Sequence, residues 1–359
     1  MYFALTEEQV QFRDAVANIL ATTSTATDIR NAWADQVLAG GGLGNGNGRI
    51  PAAWNALHDM GLLGICVPEE LDGLGFTDEE LQPILVECGY HGLPDPILST
   101  AGIAAPLLSA IITERHPGAE QAQVWLNKIM QEGVSIGMTF AGSRHVSSAA
   151  SLDGVLYFDS GNVSLLSPDM YDITPVTAVD GARHLGAIVW DGDASVLSVD
   201  GADADGLGFA LTRQAFDRAV AGSAALLVGL SRQMLELTVD YAKERQQFGV
   251  PIGSFQAVKH QLADASLALE FAAPLVSRAA YSLRTNDADT SIHASMAKAK
   301  ASDAAKQVGA VALQVHGGIG YTVECDLHLY LKRSWALVAR YGDAEFHRRR
   351  IRTQITQPV

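Results

Sequence analysis

Residues Tyr241 to His260 read YAKERQQFGVPIGSFQAVKH. In this one stretch a helix ends, a tight loop turns and a second helix begins. Upstream, apolar residues fall at Leu227, Leu230, Met234, Leu237 and Tyr241, spaced 3, 4, 3 and 4, which is one face of an amphipathic helix. Arg245 comes in its last turn. Phe248-Gly249 and Pro251-Ile252-Gly253 then break the helix. Ser254 is the expected cap of the next one, whose apolar face runs through Val258, Leu262, Ala265, Leu269 and Ala272. An arginine beside a Gly-Pro loop suits an anion clamp, because its planar fork grips phosphate through two parallel hydrogen bonds. It equally suits a plain helix C-terminus, where the dipole favours a cation. The local residues leave both readings open.

Arg245-x-x-Phe248-Gly249 and then Pro251-Ile252-Gly253-x-Phe255-Gln256 resemble a motif of the acyl-CoA dehydrogenase family. About seventy residues downstream, Gln314-Val315-His316-Gly317-Gly318-Ile319-Gly320 resembles the family's second dinucleotide signature. GLLGICVPEELDGLG, at 61–75, is similar to a segment of its N-terminal domain.

The rest of the chain is consistent with such an enzyme. At 359 residues it buries a large core and holds two or three domains. Its net charge of −15 makes it a poor partner for nucleic acid or an anionic membrane. A polyanionic ligand therefore needs local Arg and Lys. The N-terminal MYFALTEEQ is acidic rather than basic, unlike a signal peptide. Cys66, Cys88 and Cys325 show no paired spacing, which favours a reducing cytoplasm over a disulfide framework or a zinc site.

Taken in order, Thr6 to Gln9 reads as a capping box opening a helix. The Gly- and Asn-rich run at 39–49 reads as a flexible loop, since no strand leads in and no Lys-Ser/Thr comes after. Helical patterns continue over 54–60, 78–89, 100–112 and 121–131. From about residue 133 the texture changes to short β-prone runs, Val134–Phe140, Val155–Phe158, Val163–Leu166, Leu185–Trp190 and Val196–Val199, separated by turn residues. From about Thr212 the chain reads as helical to its end. The stripe Ala297, Ala301, Ala304, Val308, Val311, Val315 suits closely packed antiparallel helices. The expected class is thus α+β: an N-terminal helical domain over 1–132, a middle β domain over 133–211 and a C-terminal antiparallel bundle over 212–359. The resemblance implies that same acyl-CoA dehydrogenase architecture, with FAD-binding motifs in the bundle.

The resemblance also implies site residues. Arg245 stands where the family holds the FAD pyrophosphate, Phe248 beside the adenosine part, and Gln256 just after the loop against the cofactor. Gln314, Gly317 and Gly318 stand where backbone N–H groups approach the diphosphate and ribose. Gly317-Gly318 alone reads equally as a helix C-cap. In the family these groups often serve a flavin bound mainly by a neighbouring subunit. The loop expected to contact the flavin ring is represented only by Thr139, Gly142 and Ser143, without the usual Glu-Pro.

The catalytic base has no clear counterpart. Aligned on its glycine, Ala339-Arg340-Tyr341-Gly342-Asp343 puts Tyr341 where the family carries Glu. Tyrosine, with a reference pKa near 10, is a poor base at neutral pH. Asp343 and Glu345 fall two and four residues late, as surface or flavin-adjacent groups. Asp217, before Arg218, loosely matches a second location for the base, but reads equally as an exposed first-turn residue. In a third location Leu226 replaces the acid. The resemblance is therefore closest to a subunit of the actinobacterial α2β2 type, some of which act on steroid side-chain CoA thioesters. It implies FAD-dependent α,β-dehydrogenation with a homologous partner subunit and an electron-transfer flavoprotein. A self-sufficient homotetramer using Asp217 and a non-catalytic structural subunit are the alternatives.

Overall fold

The first helix opens as its capping box requires: Thr6 N–H donates to Gln9 Oε1 at 2.9 Å and Gln9 N–H to Thr6 Oγ1 at 3.2 Å. The computed structural model describes residues 5–33, 46–190, 195–200 and 206–356. Its helices are α1 (Glu7–Thr23), α2 (Ala26–Ala32), α3 (Pro51–Asp59), α4 (Asp78–Tyr90), α5 (Ile97–Ser99), α6 (Ala105–Thr113), α7 (Ala119–Glu132), α8 (Leu207–Glu244), α9 (Gln256–Glu270), α10 (Ala273–Thr285), α11 (Thr290–His316), α12 (Leu327–Ala339) and α13 (Ala344–Thr356). The strands are β1 (Ile136–Phe140), β2 (His145–Val146), β3 (Gly154–Asp159), β4 (Asn162–Leu166), β5 (Tyr171–Pro175), β6 (Gly186–Trp190), β7 (Leu197–Val199), β8 (Gln246–Gln247) and β9 (Val250–Pro251).

Contacts group the chain into two compact units. One contains Met1–Ala21, Gln82–Leu93 and Val220–Val359; the other contains Thr22–Leu81 and Pro94–Ala219. The second unit carries the strands β1 to β7. A four-stranded sheet runs β1-β3-β4-β7, parallel only between β1 and β3, and a three-stranded antiparallel sheet runs β2-β6-β5. Val155 and Leu166 of the first sheet meet Val146, Tyr171 and Ile188 of the second in one buried cluster. Alternation along each strand supplies that inward face. β2 and β5 add to the five runs legible in the sequence.

This unit also shows where the Gly/Asn-rich run leads. Residues 34–45 lie outside the described residues. Just after them, the Arg49 Nε donates to Asp95 Oδ1 at 2.6 Å and its Nη1 to Ser135 Oγ at 3.0 Å. Ile50 N–H donates to the other carboxylate oxygen at 2.9 Å. Arg49 is therefore paired with a buried carboxylate.

In the first unit α9, α10, α12 and α13 pack on α11. Ala297, Ala301, Ala304 and Val308 are buried along the expected stripe. Within the same unit α4 crosses α8 backbone to backbone. A Cβ on Gly89 would lie 2.2 Å from the Leu226 carbonyl oxygen, and one on Gly229 would lie 1.9 Å from that of Val86. Only glycine permits that approach. The three cysteines are free, and among the described residues no helix is long and apolar enough to cross a membrane.

Candidate functional site

Helix α8 ends where its sequence stops being periodic. The chain then enters a β-hairpin, where the sequence suggests only a loop. Gln246 pairs with Pro251 and Gln247 with Val250. Phe248 and Gly249 form the two-residue turn, both left-handed, with φ of 55° and 80°, as a type I′ turn requires. Ile252 N–H closes the loop onto Arg245 O at 2.8 Å. A bulky residue at positive φ carries strain of roughly 1–2 kcal/mol. Here the strained residue holds its ring in solvent: Phe248 is 93% exposed. Phe255 meets it edge to face, centroids 6.2 Å apart. Arg245 is exposed and makes no ion pair or side-chain hydrogen bond among the described residues.

Ser254 does not cap α9. Its hydroxyl donates to Pro251 O at 2.7 Å, holding the loop, and Phe255 occupies the cap position with no side-chain bond. Gln256 is consequently the first residue of α9, and exposed.

The second motif closes α11. Gln314 is exposed on its last turn, and Gly317 ends the helix at φ 63° and ψ −140°, a region open essentially to glycine alone. Gly317 and Gly318 are exposed, and a Cβ on either would touch nothing within 4 Å. Among the described residues nothing occupies the space within 4 Å of those positions, so an external group can come close to this backbone. His316 is buried and faces inward. Its Nδ1 donates to Ala312 O at 2.8 Å, and burial pulls its pKa down. It is neutral near pH 7 and held.

The two motifs meet through a contact the sequence did not announce. The Tyr241 ring stacks on the His316 ring, centroids 4.4 Å apart and 18° from parallel, and Tyr241 Oη donates to His316 O at 3.5 Å. One turn beyond Tyr241 stands Arg245; immediately beyond His316 come the two open glycines. The signal was present in the sequence as an aromatic residue at the inner edge of each motif.

Tyr341, half-buried between α12 and α13, is left-handed at φ 59°, and the Arg340 guanidinium lies over its ring at 4.6 Å. Asp343 caps α13: its Oδ1 accepts from Phe346 N–H at 2.8 Å, and that bond lowers its pKa. Glu345 is exposed beside Arg349. Asp217 is not an exposed first-turn residue. It lies in the third turn of α8 and is 3% exposed. Its neighbour Arg218 is committed to Asp78 by two hydrogen bonds of 3.1 Å. Cys66 lies near this pair, its thiol pushed up by burial and then by the Asp78 charge. Leu226, at the third base position, is buried at the α4–α8 crossing. At the expected ring-side loop, Thr139 is buried and donates to Ser143 O at 2.6 Å, closing a turn through Gly142.

Comparison with known proteins gives consistent matches. Residues 6–133 match the acyl-CoA dehydrogenase N-terminal domain family, and residues 206–356 match the acyl-CoA dehydrogenase C-terminal domain family. The chain is 30% identical over 329 residues to acyl-CoA dehydrogenase IpdE2 of Mycobacterium tuberculosis, a match covering 91% of each chain. Its fold superposes on the ChsE4-ChsE5 complex from Mycobacterium tuberculosis with a TM-score of 0.80, at 21% identity and full coverage of both chains. It superposes on the Tcur3481-Tcur3483 steroid ACAD, G363A variant, with a TM-score of 0.79, at 21% identity over 97% of this chain and 98% of that one.

Proposed function

The chain belongs to the acyl-CoA dehydrogenase family, and from that premise we propose that it is the cofactor-supporting subunit of a heteromeric acyl-CoA dehydrogenase. The cofactor is FAD, and the residues present suit it. Arg245 offers an unpaired fork for the pyrophosphate, Phe248 an exposed ring beside the adenosine, and Gly317-Gly318 an unobstructed backbone for phosphate or ribose. Gln256 and Gln314 flank them with exposed amides. The chemistry FAD supplies when bound is acceptance of the hydride leaving the acyl β-carbon. The homologous partner subunit supplies the carboxylate that removes the α-proton. Electrons pass on to an electron-transfer flavoprotein, and the reaction runs in the cytoplasm.

The observation that carries this reading is the Tyr241–His316 stack, which joins both dinucleotide motifs on one unit. On that same unit the aligned base position carries Tyr341, and the nearest acid is used as a helix cap. A chain equipped to hold the cofactor but without an acid there fits half of an enzyme. That one structural neighbour is described as a two-component complex and another as a steroid enzyme supports a paired subunit acting on a steroid side-chain CoA. The division into domains at 132/133 and 211/212 belongs to the same proposal.

The test is flavin content and native mass of this chain, purified alone and with a homologous subunit from the same organism. We expect no retained flavin alone, and one FAD per pair in an α2β2 assembly. One FAD per chain in a homotetramer overturns the reading and returns Asp217 as base, in which case Asp217→Asn abolishes turnover. If Arg245→Ala leaves the flavin content of the assembly unchanged, the chain is a structural subunit.

A further inference from the structure

We infer that Lys298 and His347 are positioning residues that together hold the Arg340–Asp343 turn, and that a second proton on His347 releases it. The two side chains come from different helices, α11 and α13, and both are fully buried. Lys298 Nζ donates to Leu337 O at 2.5 Å and Val338 O at 3.4 Å. These are carbonyls of the last turn of α12, where a helix end leaves carbonyls short of intrahelical partners; Leu337 O also accepts from Arg340 N–H at 3.2 Å. Lys298 thus ties down the chain entering the turn.

His347 ties down the turn itself, its Nε2 donating to Tyr341 O at 3.1 Å. Its Nδ1 is buried with no hydrogen-bond partner among the described residues. The backbone between them is unusual. Tyr341 and Gly342 are consecutive left-handed residues, and a Cβ on Gly342 would stand 2.3 Å from Phe346 Cδ1. A bulky residue in that conformation persists only when its surroundings over-determine it. Lys298, His347 and the Phe346 ring supply those surroundings.

The charges around the pair favour the neutral imidazole. Lys298 and Lys306 of α11, Arg340 of the turn and Arg350 of α13 are cationic, against Asp343 of the turn. Asp303 of α11 is engaged by Arg348. Burial, then the Lys298 charge, pull His347 down to about 4. Burial, then Arg340, pull Lys298 down to about 7. The amine of Lys298 donates to the carbonyls with or without its extra proton. His347 has no such tolerance. A proton on Nδ1 creates a buried donor with no acceptor beside an existing cation, and it is relieved only by exposing the ring. Exposure withdraws the bond to Tyr341 O. The functional weight of the turn rests on the proposed function, which places Tyr341 where the family carries its base; the latch itself does not.

The experiment is hydrogen–deuterium exchange by mass spectrometry on the full chain, in the assembly in which it purifies, at pH 7.5 and pH 5, corrected for intrinsic exchange. Peptides spanning 337–347 should lose protection on the order of tenfold at pH 5, while α10 keeps its protection. His347→Gln retains an N–H donor for Tyr341 O but takes up no proton, so its 337–347 peptides should stay protected at pH 5. The inference is overturned if wild-type protection in 337–347 is unchanged with pH, if α10 opens to the same extent, or if His347→Gln opens at pH 5 as far as wild type. None of these outcomes depends on flavin or activity, so a failed latch and a failed assignment of function are told apart.

Discussion

Arg245 and Arg49 illustrate what surroundings do to one residue type. Arg49 is mostly buried against Asp95 and Ser135, its side chain 11% exposed, so removing its partner leaves a largely desolvated charge without its carboxylate. Asp95→Ala should cost about 3 kcal/mol or more in a denaturant titration. Arg245 has no partner to lose among the described residues. Arg245→Ala should leave the stability within about 0.5 kcal/mol of wild type. In the assembly it should weaken FAD retention roughly ten- to a hundredfold by absorbance titration, the scale of one charge-assisted bond. His347 sets a pH dependence with a definite sign. Its folded pKa lies below its unfolded value, so between pH 6.5 and 4 the folded state binds fewer protons than the unfolded one. Stability is full above about 6.5 and falls toward pH 4, by at most about 3 kcal/mol for this group. His347→Gln should flatten that part of a stability–pH curve.

The α4–α8 crossing is decided by two glycines. Gly229→Ala places a methyl into the Val86 carbonyl, and neither helix backbone has a side chain to move aside. A loss of roughly 3 kcal/mol is expected, read as a lower thermal midpoint, while the same change at Gly249, where a Cβ meets nothing, should act only through its φ of 80°. Neither glycine of the crossing stands out in the sequence, because a partner helix distant along the chain is invisible to local periodicity. Elements that carry their own period are legible. Long helices such as α8 and α11, and the stripe Ala297 to Val308, emerge from spacing alone. The hairpin β8–β9 is not legible, because its strands are two exposed residues each and its turn puts phenylalanine where glycine or asparagine is customary. Ser254 has the residue type of a cap, but its hydroxyl finds the nearer Pro251 carbonyl. Asp343 reads as a surface acid and is in fact the cap of α13.

At the scale of the molecule, a chain with net charge −15 leaves several large apolar residues of its first unit in solvent, including Phe248, Phe255, Leu267, Phe271, Tyr321 and Trp335. Single exposed apolar residues are ordinary, but aromatics standing at both dinucleotide motifs suit a surface that is covered in an assembly. The chain alone should therefore bind a hydrophobic dye strongly and self-associate as concentration rises, and both should diminish when it is purified with the partner subunit proposed above. The family and the fold are readable because the two motifs keep their residue types and spacing. The base is not, because Tyr341, Asp217 and Leu226 each offer a mismatch that only burial and hydrogen bonding distinguish. Phe248 has one more consequence, for anyone who wishes to make this chain sturdier. A stability screen run on the isolated chain would reward replacing that strained, solvent-facing ring with Asn or Gly, and would do so blind to the cofactor. With Phe248 in its proposed place beside the adenosine, durability and affinity are set against each other at that single hairpin, so the variants such a screen ranks highest are expected to hold FAD least.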